Sequence, residues 1–251
     1  MRHILGTLVG TAIVCLATVT WAADGEHAGS CAGLPKVSQM EVFLQQAAAG
    51  EEISAELGPG TCVGGLFAGG RMWAAVVNRD GRLCAFITST ADPRDTWPGS
   101  QAIAKAKAFT ANAFSTDDLP LSTARLYTFT QPDHSLYGLN NSNPFNPLFL
   151  APPSGAGGGL GHVAGGIITF GGGVPLYQAG HIIGGLGVSG DTACADHEIA
   201  KRVRDLAQLN PPDGPLADDI VYTAVDGPSV FAHSLCVNNF RNGVDVPDEQ
   251  P

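Results

Sequence analysis

Apolar positions recur at two spacings along the chain. In "SQMEVFLQQAAAG", Met40, Phe43, Leu44 and Ala47 fall on one face, which predicts a helix that Gly50 can end. Ser38 and Glu41 have the S-x-x-E spacing of a capping box at its start. The β-rich runs "GGRMWAAVV" and "RLCAFITS" flank "NRDG", the pattern of a hairpin closed by an Asp-Gly turn. In "QAIAKAKAFTANAF", Ile103, Ala106, Thr110 and Ala113 or Phe114 line one side of a second helix, which Ser100 can cap.

From about residue 115 to 165 the pattern loosens into prolines, asparagines and glycines. A structureless stretch this long inside a domain is functional or packed on itself. Tyr127, Phe129, Tyr137, Phe145 and Phe149 favour packing. "GGIITF", "VPLYQ" and "HIIGGLGV" then read as strands with tight bends. Asp191 or Thr192 caps a helix over "ACADHEIAKRVRDLAQL", which Pro211 and Pro212 stop, and "DIVYTAV" reads as a last strand. One α+β domain over 36–240 is expected, with 23–35 and the tail 241–251 disordered.

Arg2 and His3 precede a long apolar run that ends in "WAAD", the order of a secretory signal cut after Ala22. Its removal leaves 229 of 251 residues and takes the formal charge from −10 to −11, because the lost segment carries one basic and no acidic residue. Such a surface repels nucleic acid and anionic lipid heads. A periplasmic or secreted protein with no membrane insertion after cleavage is expected. Five cysteines remain: Cys31, Cys62, Cys84, Cys194 and Cys236. An oxidising compartment makes disulfides the default, with at least one thiol left over.

Gly185, Gly187 and Gly190 spell G-x-G-x-x-G. A dinucleotide loop also needs a parallel strand carrying an acid about 20 residues on. Here "NPPDGP" follows the helix, so the glycines read as a close strand contact and a turn. "GVSGD" approaches a nucleophile elbow at Ser189 but lacks its last glycine. Cys194 with His197, and His233 with Cys236, could hold zinc. In an exported chain a Cys194–Cys236 disulfide is the stronger expectation. No C-x-x-C-H motif for covalent haem occurs.

"MWAAVVNRDGRLCAF", "AKAKAFTANAF" and "GGGVPLYQAGHIIGGLGVSGDTACADHEIA", in that order, resemble the GlcG/HbpS (DUF336) haem-binding family, in an exported, cysteine-bearing branch. The resemblance implies a profilin-like α+β fold, an antiparallel sheet with packed helices, and homo-oligomers. It also implies that some members bind haem or related tetrapyrroles, or iron, and that one passes a signal to a membrane sensor. Lys107, Phe109 and Thr110 match its K-A-F-T motif, and Gly172, Gly173 and Pro175 its GG-x-P motif. These border the groove the family implies. The E-x-x-E iron pair of some relatives aligns with Ala102 and Lys105, which speaks against iron here.

The function expected is therefore non-covalent haem or tetrapyrrole binding, as a carrier or an accessory to a membrane sensor or redox partner. Lys107, Tyr177 and His181 are ligand candidates by chemistry, and Lys107 is expected to meet a propionate. No catalytic or metal-binding residue is assigned. A haem-degrading or small-metabolite enzyme, and a ligand-free interaction module whose 115–165 insertion covers the groove or docks a partner, are the alternatives.

Overall fold

The computed structural model describes residues 30–49, 54–58, 62–149 and 158–247. The expected signal segment lies outside them, and so does the end of the expected tail. Four strands form an antiparallel sheet: β1 (Trp73–Asn78), β2 (Leu83–Thr88), β3 (Gly173–Gln178) and β4 (His181–Ser189), in the order β2-β1-β4-β3. Helices α1 (Val37–Ala49), α2 (Ser100–Phe114) and α3 (Ala193–Leu206) cover it. The fold is α+β, as the sequence predicts. No helix among the described residues is long and apolar enough to cross a membrane.

Alternation along β1 divides the core. Ala74 and Val76 pack with Met40 and Leu44 of α1 and with Ile199 and Val203 of α3. Trp73, Ala75 and Val77 pack with Ala104 and Ala108 of α2 on the opposite face. Each fully buried large side chain contributes about 1.5–3 kcal/mol. Pairing runs Val76 to Ala85 and then Val77 to Leu83, so Cys84 is an extra, bulged residue. The bulge puts Leu83 on the same face as Phe86, and Phe86 stacks on Trp73 at 5.0 Å.

Helix α2 lies directly on β4 because two glycines have no side chain to hold it off. A Cβ on Gly185 would stand 2.3 Å from Ala108 O, and one on Gly187 2.0 Å from Ala104 O. Two glycines of the fingerprint form a helix-packing surface, and the third, Gly190, lies against the Arg71 carbonyl before β1.

Several local expectations are corrected. Helix α1 begins at Val37, so Ser38 lies inside it; Gln39 Oε1 instead accepts from Lys36 N at 3.0 Å. Gly99 stands at the cap of α2, and no side-chain cap bond forms there. Thr192 does cap α3, accepting from Ala195 N at 3.3 Å. "GGIITF" pairs only through an isolated bridge between Gly165 and Phe145. "DIVYTAV" yields the two-residue β5 (Val221–Tyr222) and one helical turn, α4 (Thr223–Asp226). Strand β5 pairs in parallel with β6 (Ala232–His233). The tail expected to be disordered from 241 instead includes a hairpin of β7 (Asn239–Arg241) and β8 (Val244–Val246). The expected flexible start reaches into described residues, where Cys31 is bridged to Cys84 across a Cα separation of 5.7 Å.

Candidate ligand-binding site

The predicted residues fall into two groups at opposite ends of β4. His181 opens the strand and Val188 lies seven positions on, about 23 Å away at roughly 3.3 Å per residue. At the Val188 end, the Lys107 ammonium donates to Asp196 Oδ2 at 2.7 Å and to Val188 O at 3.0 Å, with its side chain wholly buried. Burial pushes Lys107 down and raises Asp196 to about 6, and each charge offsets the other's shift. Lys107 does not face solvent, which corrects its expected contact with a propionate.

The groove expected between the K-A-F-T helix and the GG-x-P strand is closed. A Cβ on Gly172 would stand 2.6 Å from Lys107 Nζ, and one on Gly173 2.5 Å from Lys107 O. Thr110 is buried, donating to Ala106 O at 2.7 Å and accepting from Ile168 N at 3.0 Å. Pro175 is buried in β3, and its carbonyl accepts from Arg204 at 3.3 Å. These four residues and Lys107 are interior structure in the single chain.

The other end of the sheet is open. Here the β1–β2 turn, the β3–β4 turn and the C-terminus of α2 meet. His181 Nδ1 stands 2.8 Å from Asp117 Oδ2, and its side chain is 77% exposed. Asp117 Oδ1 accepts from Ile182 N at 2.8 Å, which fixes the carboxylate. That backbone donor, then His181, hold the Asp117 carboxyl below its usual range, and the Arg79 guanidinium adds to the effect. His181 Nε2 has no hydrogen-bond partner among the described residues. Phe109, half-buried, lies against the β1–β2 turn, where a Cβ on Gly81 would meet its ring at 2.5 Å. Leu119 is exposed just beyond α2. Tyr177 lies under this end, buried, donating to Thr116 O at 2.6 Å. Burial raises its phenol to about 12.

Asp117 and Arg79 carry no sequence signal for this role. Asp117 meets His181 from 64 positions away, and Arg79 reads as a turn residue whose guanidinium turns out to bond Asn112 Oδ1 at 2.8 Å.

Of the 115–165 insertion, residues 161–163 pack on the β2 edge, while 122–130 pack against Phe170 and the C-terminal extension. Leu83 N donates to His162 O at 3.0 Å, Gly161 N donates to Leu83 O at 2.8 Å, and His162 stacks on Phe149 at 4.7 Å. Lys105 ties it down, donating to Phe149 O and to Gly158 O at 2.6 Å above the Phe86 ring. Lys105 thus anchors this loop.

Cys194 and Cys236 are joined by a disulfide, Cα to Cα 6.0 Å, and Cys62 is free and exposed. The bridge fastens a C-terminal extension over the polar face of α3. Beneath it Lys201 meets Asp219 at 2.5 Å and Glu198 at 2.7 Å, and Arg204 meets Asp218 at 2.7 Å. His233 Nδ1 faces Ser234 O at 2.6 Å while Nε2 accepts from Gly171 N at 3.2 Å, so the ring is neutral; burial lowers it to about 4. His197 contacts Asp219 at 3.4 Å in the same layer.

The chain is 33% identical over 102 residues to corrinoid adenosyltransferase PduO of Citrobacter freundii, and 34% over 102 residues to that of Salmonella typhimurium. The aligned part is 41% of this chain and 23% of each relative, so the chain spans about a quarter of their length. Among solved structures, a PduOC:heme complex is 22% identical over 69% of this chain and 93% of its own, with a TM-score of 0.46. The Klebsiella pneumoniae protein ORFY, of the DUF336 family, is 21% identical over 69% and 88%, with a TM-score of 0.45. Residues 66–205, more than half of the chain and running from before β1 to the end of α3, match the model of the family described as haem degrading protein HbpS-like, and the chain belongs to that family.

Proposed function

We propose that this protein is exported and binds haem or a related tetrapyrrole non-covalently at the open end of its sheet, with His181 as the axial donor. The observation that carries the reading is the His181–Asp117 pair in a chain of this family. A metal-binding imidazole ordinarily gives its second nitrogen to a carboxylate, which sets the tautomer and aims the lone pair. His181 has that arrangement: Nδ1 on Asp117, Nε2 toward solvent. A haem site also needs apolar surface and a cation for its propionates. Phe109 and Leu119 supply the first and Arg79 the second.

When bound, the group would supply a redox-active iron; the chain's residues bind and orient it. Two disulfides among the described residues support export. A carrier role, or an accessory role to a membrane sensor or redox partner in a homo-oligomer, follows from the family resemblance. The corrinoid named in the relatives keeps cobalamin among the ligands to test. The family description favours haem degradation as a second reading. Titrating hemin into the oxidised protein tests binding: a saturating, one-to-one Soret shift is expected, and none above a protein-free blank overturns it. Loss of that band with a reductant, with product formed, would favour degradation.

A further inference from the structure

The C-terminal extension carries His233 and Cys236 onto the first turn of α3, beside Cys194. One ring nitrogen and the two sulfurs lie within 4.8 Å of one another. Cys194 and His233 are buried and Cys236 is half-buried. The Cys194 backbone N–H points at Cys236 Sγ, 3.2 Å away, so this sulfur rests on the positive end of α3. Such an end stabilises a thiolate once the bridge is open. The His233 tautomer donates through Nδ1 to Ser234 O and leaves the lone pair on Nε2. His233 and Cys236 lie beyond residues 66–205, so this cluster belongs to the extension.

Two thiolates and one imidazole are a zinc donor set with a fourth position open. We propose that reduction of the Cys194–Cys236 disulfide turns this cluster into a site for Zn²⁺ or a similarly thiophilic divalent cation. A dithiol reductant supplies two electrons and two protons. Its own sulfurs join as a disulfide, the Cys194–Cys236 bond breaks, and two thiols form. The cation then displaces both thiol protons to solvent. One His233 ring nitrogen exchanges its present partner, the Gly171 N–H or the Ser234 carbonyl, for the metal, and the sulfurs settle about 3.7 Å apart, the tetrahedral edge for Zn–S bonds near 2.3 Å. Disulfide and metal use the same electron pairs, so they exclude one another. Either one staples the extension over the charged face of α3. The site is independent of His181, which lies at the other end of β4.

Differential alkylation of the full chain tests the proposal without a substitution. The protein is reduced with a phosphine, freed of reductant under argon, and treated with limiting iodoacetamide with and without Zn²⁺. Zn²⁺ is expected to slow labelling of Cys194 and Cys236 by about tenfold or more, leaving Cys31, Cys62 and Cys84 unchanged. Equal rates at Cys194 and Cys236 overturn the proposal. Co²⁺ gives a second readout. A sulfur-to-cobalt charge-transfer band should appear in reduced wild-type protein, be absent from the oxidised form and weaken in His233→Ala. A band that never appears in the reduced wild type, or is equally strong in the oxidised form, contradicts the site.

Discussion

The Lys107 ammonium and the Asp196 carboxylate stand 2.7 Å apart with neither reached by solvent, and this pair joins α2 to the first turn of α3. Removing one partner of a buried pair strands the other charge, at a cost of about 3–5 kcal/mol. Lys107→Met should lower stability to urea by that amount, while Lys107→Met with Asp196→Leu recovers most of it. A double variant no more stable than the single one would show that the pair is not the unit at stake.

Gly187 sets how closely α2 approaches the sheet. In Gly187→Ala the new methyl meets Ala104 O at 2.0 Å and Ala108 N at 2.5 Å, both backbone atoms that cannot turn away. A loss of about 3 kcal/mol is expected in chemical denaturation. Gly180→Ala, at φ +85° with open space around it, should cost only about 1 kcal/mol. Similar losses at both positions would refute packing as the reason for the glycine at 187.

His233 makes a pH prediction. Its folded value, about 4, lies below the ordinary 6.5, so between these limits the unfolded chain binds more protons. Stability from this group is present above pH 6.5 and is lost as pH falls toward 4. Asp196, raised to about 6, acts in the opposite sense below that pH. The comparison is therefore with His233→Gln, which keeps an acceptor for Gly171 N. Wild type should lose on the order of 2–3 kcal/mol more than this variant between pH 7 and 4. Parallel urea midpoints across that range would count against it.

The hairpin and the three main helices were legible because their apolar periodicity has one solution: a face that must be buried. The polar face of α3 was not. Glu198, Lys201 and Arg204 are buried because the extension brings Asp218, Asp219 and Asn242 to meet them, and Asp196 is buried against Lys107 of α2. Periodicity reports that a face is polar and is silent on what covers it. Lys107 was misread for the same reason: its partner lies 89 positions away. His181 was legible as chemistry, but the carboxylate that orients it comes from a loop with no motif. The tail hairpin of β7 and β8 has three residues per strand, too few for a period to show.

The central claim is that His181, and not the K-A-F-T lysine, meets the ligand. The most direct measurement is the absorption spectrum of hemin-loaded wild type, His181→Ala and Lys107→Met, each at equal folded concentration. The account predicts a histidine-ligated Soret band in wild type and Lys107→Met, with a shifted band and at least about a tenfold weaker affinity in His181→Ala. An unchanged band in His181→Ala, or its loss in folded Lys107→Met, would contradict the account.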